Sequence, residues 1–518
     1  MRKLIVGDGV RTPEGVIGNA VLVDGARIVA CGDAADLRAA PVPEERYPGA
    51  TIIAGLRDAH LHPVSYTALL SGINLKDARD LDELTVRLRS APGSGPVLAL
   101  RFDDETLAEQ RLPTRIDLDE AVPDRPVLIH RYCGHIAVAN TAALALAGVD
   151  VTTPDPEGGV VDRDTGGVPT GVLRETAIEL VSTKLRAETP VTPDKVAGAL
   201  RGLAGLGITS VGAMLGCGDG PWASLGDETT LLAEAARSLP IRVHAYVITG
   251  DPGHLDKVAA RLTGRGAHLR WAGVKRFSDG SLGGHTAAMC EPFTDRPDTS
   301  GTDRLTSADA AIVRHTLERG GTACVHAIGD CAVGGVLDLF AALIADGHDP
   351  TRMRIEHASV MTERDIARLG ELGIIACIQP AFLGSEVRWL EKRVGPERMA
   401  RTYPFASLLR SGARLAGGSD CPIEPPHPLA GMALARDRTG LVPDEALTPE
   451  EALALFTTGA AAALGEPLPL AQGSPADLVV LDRDPVAATA DELRTTEVVD
   501  TYVGGDAVAV DRTIPAWV

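Results

Sequence analysis

Residues 51–62 begin as an apolar run and end in His60 and His62, two positions apart. On a β-strand that spacing puts both imidazoles on one face, one pleat apart. Two neutral imidazoles converging from one rigid element make half of a first-row metal site. Taken alone, alternate histidines also describe an ordinary polar strand end. The stronger constraint is that further histidines and one aspartate recur at the ends of later apolar runs. His326, His357 and Asp420 lie at or near the ends of such runs, and Lys275 lies within another.

Eight runs qualify as strands: residues 52–58, 208–214, 241–247, 271–279, 322–330, 353–359, 374–380 and 413–420. Helical patterns separate them, which argues for βα units and a parallel sheet. Thr448, Pro449, Glu450 and Glu451 make a capping box with proline at the first helical position, leading into residues 452–464. Thr192, Pro193 and Asp194 open the helix before the second strand in a similar way. Eight parallel strands with helices outside close as a barrel, whose active site lies at the C-terminal strand ends.

The stretch from 63 to about 200 is far longer than one crossover needs. It has strand-like runs of its own at 97–101 and 127–132, a helix around 140–147, and a Gly- and Asp-rich end at 154–171. We read it as a subdomain over the barrel mouth. Short strands and turns occupy both ends of the chain, at 3–6, 18–23 and 27–31, and again at 477–482, 498–503 and 507–510. Neither end is long enough to bury a two-sided sheet alone. The expected architecture is therefore α/β: a (β/α)8 TIM barrel at 52–470, an inserted subdomain after strand 1, and a small β-sandwich formed from both termini, 1–51 and 471–518.

Composition narrows the function. The chain of 518 residues has 70 acidic against 50 basic side chains, a formal charge of −20. Such a surface repels phosphate backbones and anionic headgroups, so neither nucleic acid nor a membrane is expected as partner. Aromatics are 3%, too few for base-stacking platforms. Only seven of the basic residues are lysines. The eight cysteines include no CxxC pair, and several sit in apolar runs where reduced Cys acts as a small hydrophobe. No apolar stretch reaches transmembrane length, and the first apolar run breaks after three residues, too soon for a signal peptide. A cytoplasmic, reduced protein is the expectation.

The order of motifs resembles the amidohydrolase superfamily, and within it the amidohydrolase-3 (YtcJ-like) branch. The motifs are the DxHxH ending in His62, Lys275 followed by DGSLG at 279–283, and HAIGD at 326–330. IEHA at 355–358, QP at 379–380, GSDxP at 418–422 and ADLVVLD at 476–482 complete the series. A long insertion after strand one is also typical of the branch. Three departures stand out: Leu56-Arg57 precedes Asp58 where the branch usually has a different pair, His285 follows SLGG, and Phe102-Asp103 is the remnant of a Gly-Trp-Asp.

The resemblance implies a divalent metal site of one or two ions, most often Zn2+. His60, His62 and Asp420 would hold one ion, and His326 and His357 a second. Lys275 would bridge them as a carbamate, since an ammonium repels metals and a carbamate offers each an anionic oxygen. Metal would generate hydroxide from water near neutral pH, and Asp420 would act as general base and then general acid. His135 matches a histidine common in the branch's insertion and is the candidate for a catalytic contact with substrate. Glu175 reads equally well as a helix-start carboxylate, and Arg57 and His285 carry no assigned role.

The expected activity is a metal-dependent hydrolase of a carbon–nitrogen bond other than a peptide bond, in an amide or formamide of a small molecule. A cyclic amidine deaminase or an ester or lactone hydrolase on the same site is the alternative. A regulatory or binding protein of this fold is the second. A homodimer is compatible with the resemblance.

Overall fold

The computed structural model describes residues 2–38, 42–132, 134–156, 158–188, 190–217 and 226–509; Cys133 and Val510 lie outside them. Eight parallel strands form one sheet in sequence order: β1 (Leu56–Leu61), β2 (Ile208–Gly216), β3 (Arg242–Ile248), β4 (Leu269–Phe277), β5 (Thr322–Ala327), β6 (Met353–His357), β7 (Ile375–Ile378) and β8 (Arg414–Gly417). Each pairs with the next in parallel register. Just beyond β8 the chain returns to β1. The Asp420 N–H donates to the His60 carbonyl at 2.8 Å, and the His62 N–H donates to the Cys421 carbonyl at 2.8 Å. The sheet is thus a nearly closed barrel, joined at the residues the sequence marks for a metal.

Helices cover the outside with the capping chemistry expected from sequence. The Thr192 hydroxyl accepts from the Lys195 N–H ahead of Pro193–Ala204. Thr448 and Glu451 form the reciprocal box ahead of Pro449–Ala454. The run expected as one helix over 452–464 is interrupted by a π-helical turn at Leu455–Gly459 before Ala460–Ala463. A Cβ at Gly459 would lie 2.1 Å from the Leu415 carbonyl oxygen, so the helix approaches β8 at van der Waals limit there.

The first barrel strand lies further along the chain than residues 52–58. Thr51–Ala54 instead pairs with Leu478–Leu481 on one side and Gly9–Thr12 on the other. Gly55 is the divide: its N–H donates to the Asp477 carbonyl at 2.8 Å, and a Cβ on it would sit 2.3 Å from Thr209 Oγ1. A single apolar run thus supplies two strands to two different sheets.

That terminal sheet has six strands, in the order Asp506–Ala507, Val498–Val503, Leu478–Leu481, Thr51–Ala54, Gly9–Thr12, Gly15–Val16. It faces a four-stranded sheet of Arg27–Gly32, Ala20–Asp24, Arg2–Val6 and Glu44–Arg46. Ile5, Val21, Ile52, Leu478, Val480 and Tyr502 pack between them. The insertion forms its own six-stranded mixed sheet, in which Val97–Phe102 and Val127–Arg131 are parallel neighbours. Its Gly- and Asp-rich end folds as an antiparallel hairpin, Gly159–Arg163 with Pro169–Glu175.

One expectation is overturned. Cys290 and Cys331 are joined in a disulfide, whereas a fully reduced chain was expected. The pair spans 41 positions and has no local signature; the loop after β4 and the start of the helix after β5, Asp330–Ala345, bring it together, with the Cys331 N–H donating to the Ala288 carbonyl at 3.1 Å. Cys31, Cys217, Cys324, Cys377 and Cys421 are free thiols. No helix among the described residues is long and apolar enough to cross a membrane.

The division at about 471 carries a prediction. Leu478–Leu481 is an interior strand of the terminal sheet, so truncation after Ser474 exposes the apolar edge of Thr51–Ala54, which leads directly into β1. The truncated chain should be insoluble or lack cooperative unfolding in thermal denaturation. A soluble, folded and active truncation would show that the termini are dispensable to one another.

Candidate metal centre

The C-terminal ends of five barrel strands converge. Asp420 Oδ1 lies 3.2 Å from His60 Nε2 and 3.1 Å from His62 Nε2. These three donor atoms lie within 4.8 Å of one another, the spacing of a metal-ligand set. Lys275 Nζ is 3.4 Å from His60 Nε2. The His326 and His357 rings meet edge to face with centroids 4.5 Å apart, and the His60 ring is 5.1 Å from His357. All six side chains named from sequence as ligands are thus in one place. Of these, all but His60 line a single cavity, and His60 is fully buried behind it.

Several are held by a partner on the far nitrogen, which fixes ring orientation and tautomer and leaves one nitrogen for a metal. His60 Nδ1 is 2.6 Å from Glu356 Oε2. His357 Nδ1 is 2.7 Å from Gln379 Oε1. His326 Nε2 is 2.8 Å from the Gly280 carbonyl and 3.3 Å from Asp279 Oδ1. Glu356 is itself gripped by Arg354, which donates through Nε at 2.9 Å and through its second amino group at 3.1 Å. Cys377 also approaches His60 and Glu356. Burial pushes its thiol well above the ordinary range, and Glu356 is committed to Arg354, so that trio is scaffold behind the ligand.

Electrostatics agree with a cation site. Burial lowers the affinity of His62, His326 and His357 for a proton, partly offset at His62 and His326 by Asp420 and Asp279. Neutral imidazole is the form that ligates. Burial also lowers the Lys275 ammonium, against the pull of Glu356 and Asp420. Burial alone would raise Asp420, but the charge of His60 and hydrogen bonds from His60 and His62 hold it well below the usual carboxylate range. His357 has φ +76° and Asp420 φ +57°. Left-handed backbone at a non-glycine residue costs on the order of 1–3 kcal/mol, and here it accompanies two candidate ligands at the strand ends.

Other candidates divide. His135 reaches the cavity from the insertion, its Nδ1 2.9 Å from Glu175 Oε2. Arg304 braces the same carboxylate at 3.3 Å, and burial, which would raise Glu175, is outweighed by its contacts with His135 and Arg304, so its carboxyl lies below the usual range. Glu175 is therefore more than a helix-start carboxylate. Arg57 lies at the far end of β1, 2.7 Å from Glu466, which also meets Ser210 and His244 at the starts of β2 and β3. That network is structural. His285 stacks edge-on against Phe293 and meets Asp295 at 3.1 Å, outside the cavity lining. Asp103 of the Phe102-Asp103 remnant pairs with Arg131 at 3.4 Å.

Two residues unassigned from sequence stand out. Asp58 receives the His60 N–H at 3.1 Å, the Ser419 N–H at 3.0 Å and the Ser419 hydroxyl at 2.5 Å. The DxHxH spacing could have flagged it. Glu386, buried against the Tyr403 hydroxyl at 2.5 Å, is pushed by burial from 4.5 up to about 8.

Residues 48–509 match the family described as "Amidohydrolase family". The chain is 31% identical to the putative amidohydrolase YtcJ of Bacillus subtilis over 488 residues, 89% of each protein. It is 29% identical to the N-substituted formamide deformylase of Arthrobacter pascens, covering 97% of each. A metal-dependent hydrolase from Pyrococcus furiosus, whose structure has been solved, superposes with a TM-score of 0.75 at 31% identity, over 94% of this chain and 100% of that one.

Two outcomes follow from this geometry. Glu356→Gln weakens the partner that orients His60, and metal affinity should fall roughly 10–100-fold, read by competition with a chromophoric chelator. Unchanged affinity would mean that His60 needs no support. For Glu386, the folded pKa lies above the ordinary 4.5, so the native state holds a proton that the unfolded chain has released. Its stabilising contribution is complete below about 4.5 and is lost as pH rises to about 8. At one pKa unit per about 1.4 kcal/mol, the loss is on the order of 5 kcal/mol. Glu386→Gln should flatten this part of the melting-temperature profile; parallel profiles for the two proteins would refute it.

Proposed function

We infer, from the premise that this chain belongs to the amidohydrolase family and is a metal-dependent hydrolase of carbon–nitrogen bonds, that its substrate is an amide or formamide of a small molecule and its metal zinc. The observation that carries the reading is the cluster of His60, His62 and Asp420 at a cavity wall with ligand spacing. The formamide deformylase matched across nearly the full chain supports the choice of amide over ester or amidine. A net charge of −20 favours a small uncharged substrate over a polyanion.

The donor set fits one or two divalent ions. His60, His62 and Asp420 would hold one, and His326 and His357 the other. A deprotonated Lys275 amine is the form that adds carbon dioxide, and as a carbamate it would bridge them. When bound, such ions lower the pKa of water to near neutrality and polarise a carbonyl oxygen.

The chain's own groups do the proton work. Asp420 Oδ1, already ionised and between two imidazoles, accepts a proton from the attacking water and returns it to the departing nitrogen. Nitrogen must be protonated before it leaves, because an amide anion is far too basic. His135, whose Nδ1 is held by the Glu175 carboxylate that Arg304 braces, lines the same cavity, and in its doubly protonated form it donates from Nε2 to the carbonyl oxygen as charge develops there. Leu98, Leu100 and Leu128 on the cavity wall lower the local dielectric, which strengthens each of these contacts.

Two variants test the assignment. Asp420→Asn keeps an oxygen ligand and loses the proton carrier, so kcat on an amide panel should drop by at least about 100-fold, the lower range for general acid–base catalysis, while bound metal is largely retained. Wild-type kcat would remove Asp420 from that role. Lys275→Ala should bind one metal equivalent or less by elemental analysis and regain partial activity with added acetate. Two full equivalents in that variant would exclude the bridge and leave hydrolysis by Asp420 standing.

A further inference from the structure

Two cavities meet at His135, His326, His357 and Asp420, and the larger runs along the inserted sheet. Arg101 reaches that cavity by breaking the pattern of its own strand. Along Val97–Phe102, Leu98 and Leu100 line the cavity, while Val97 and Ala99 enter the insertion's own core. Strict alternation would send residue 101 into that core and residue 102 to the cavity. Instead Leu100 lies opposite His130 and Phe102 opposite Arg131, so Arg101 is the extra residue of a β-bulge. Phe102 joins the core, and Arg101 lines the cavity. Its φ is +73°, in the left-handed region where glycine is least strained. An arginine kept at that cost points to a use for its side chain.

The guanidinium leads out of the insertion. It donates to Glu424 Oε2 at 3.4 Å, and Lys76 Nζ is 3.7 Å from the same oxygen. Lys76 follows Ile73–Asn74, the strand beside Val97–Phe102. Both cations thus come from the insertion. Glu424 comes from the barrel, in the loop after β8 and four residues beyond Asp420. Arg101 and Glu424 are buried. The same loop meets the insertion a second time: a Cβ on Gly134 would lie 3.5 Å from Ile423 Cδ1, and Gly134 immediately precedes His135.

Asp420 and His135, in the roles given above, act on one carbonyl. The barrel carries the first and the insertion the second, so their spacing is set by how these two parts dock. An apolar contact such as Ile423 beside Gly134 tolerates sliding. A buried ion pair does not, because separating its charges inside the protein is costly. The planar fork of a guanidinium fixes direction as well as distance.

We propose that Arg101 is a positioning residue: through Glu424 it fixes the loop that carries Asp420 against the insertion that carries His135, and so sets the spacing of the two groups that move protons. This rests on the roles of Asp420 and His135 in amide hydrolysis.

The test is a double-mutant cycle on the zinc-loaded enzyme with an amide that the wild type cleaves. Arg101→Met keeps the reach of the side chain and removes its charge. It should lower kcat about 100-fold, the cost of a misplacement near 1 Å, and keep the bound metal. In a His135→Ala background the same substitution should cause no further loss, since groups that act through one another are not additive. Arg101→Lys should recover part of kcat. Glu424→Gln serves the same cycle where Arg101→Met lowers soluble yield. Glu105→Gln is the control: it breaks another ion pair between insertion and barrel, to Arg393 and Lys392, and should lower the melting temperature while keeping kcat. Hydrogen exchange reads the link without turnover. Arg101→Met should speed exchange at 134–139 and 420–424 together and leave β1–β8 unchanged.

Equal losses from Arg101→Met in both backgrounds, or the same loss from Glu105→Gln, would reduce the ion pair to general docking and overturn the proposal while amide hydrolysis stands. Unchanged exchange at both segments would overturn it as well. Wild-type kcat in His135→Ala would remove His135 from the reaction, and the proposal with it. Altered exchange in a protein whose wild type cleaves no amide would keep the link and sink the amide reading.

Discussion

The centre depends on a seam. A parallel barrel is a sheet that must find its own first strand, and here β8 reaches β1 through a few residues at their C-terminal ends. The Asp58 carboxylate bridges the gap by accepting from the His60 N–H, the Ser419 N–H and the Ser419 hydroxyl. Burial pushes its carboxyl up to about 6, against those hydrogen bonds. The approach is close: a Cβ on Gly418 would lie 2.9 Å from both the His60 N and Cβ. Only glycine lets the strand carrying Asp420 come this near to the strand carrying His60. Barrel closure and ligand convergence are one event.

Behind the seam lies a buried ionic chain that favours specificity over stability. Arg354, Glu356 and His60 are fully buried, and taking such charges out of water costs several kcal/mol per ion before their mutual attraction offsets it. An aliphatic filling would pack as well. It would not hold the His60 ring, whose far nitrogen needs an acceptor in a known place. Arg354 also donates to the Ala59 carbonyl at 3.0 Å, tying β6 to the backbone of β1 beside the ligand. The chain thus aligns His60 both through its ring and through its strand.

What could be read from sequence follows from which facts are local. A metal demands particular donor atoms, so His60, His62, His326, His357 and Asp420 stand out in the sequence as polar residues at or near strand ends. Arg354 and Glu356 share a strand face by the two-residue period, which was legible; that the face holds His60 depends on how β6 and β1 lie across the barrel, which was not. The same distinction explains the shifted first strand. Residues 51–61 are one apolar run, and only the contact of Gly55 with Thr209 shows where it passes from one sheet to another. The Cys290–Cys331 pair has no local pattern either, because its two cysteines follow different strands, one in a loop and one at a helix start.

Barrel and insertion contribute different things, and this bears on how such a site acquires a substrate. The metal-ligand candidates all come from barrel strands, whose positions are set by sheet register and the seam. The walls of the larger cavity come mainly from the insertion: Leu98, Leu100, Leu128 and Ile178 on its sheet and helix, with His135 between two of its strands. That sheet packs around a separate apolar core of its own, with Leu84, Phe102, Leu118 and Ile129 among its members. A substitution on its cavity face changes the space offered to substrate without moving β1 against β8. Register is intolerant, because a one-residue slip turns every ligand away; a wall tolerates exchange among side chains of similar volume. Chemistry is therefore pinned to the part of the fold that cannot vary, and selectivity is written on the part that can.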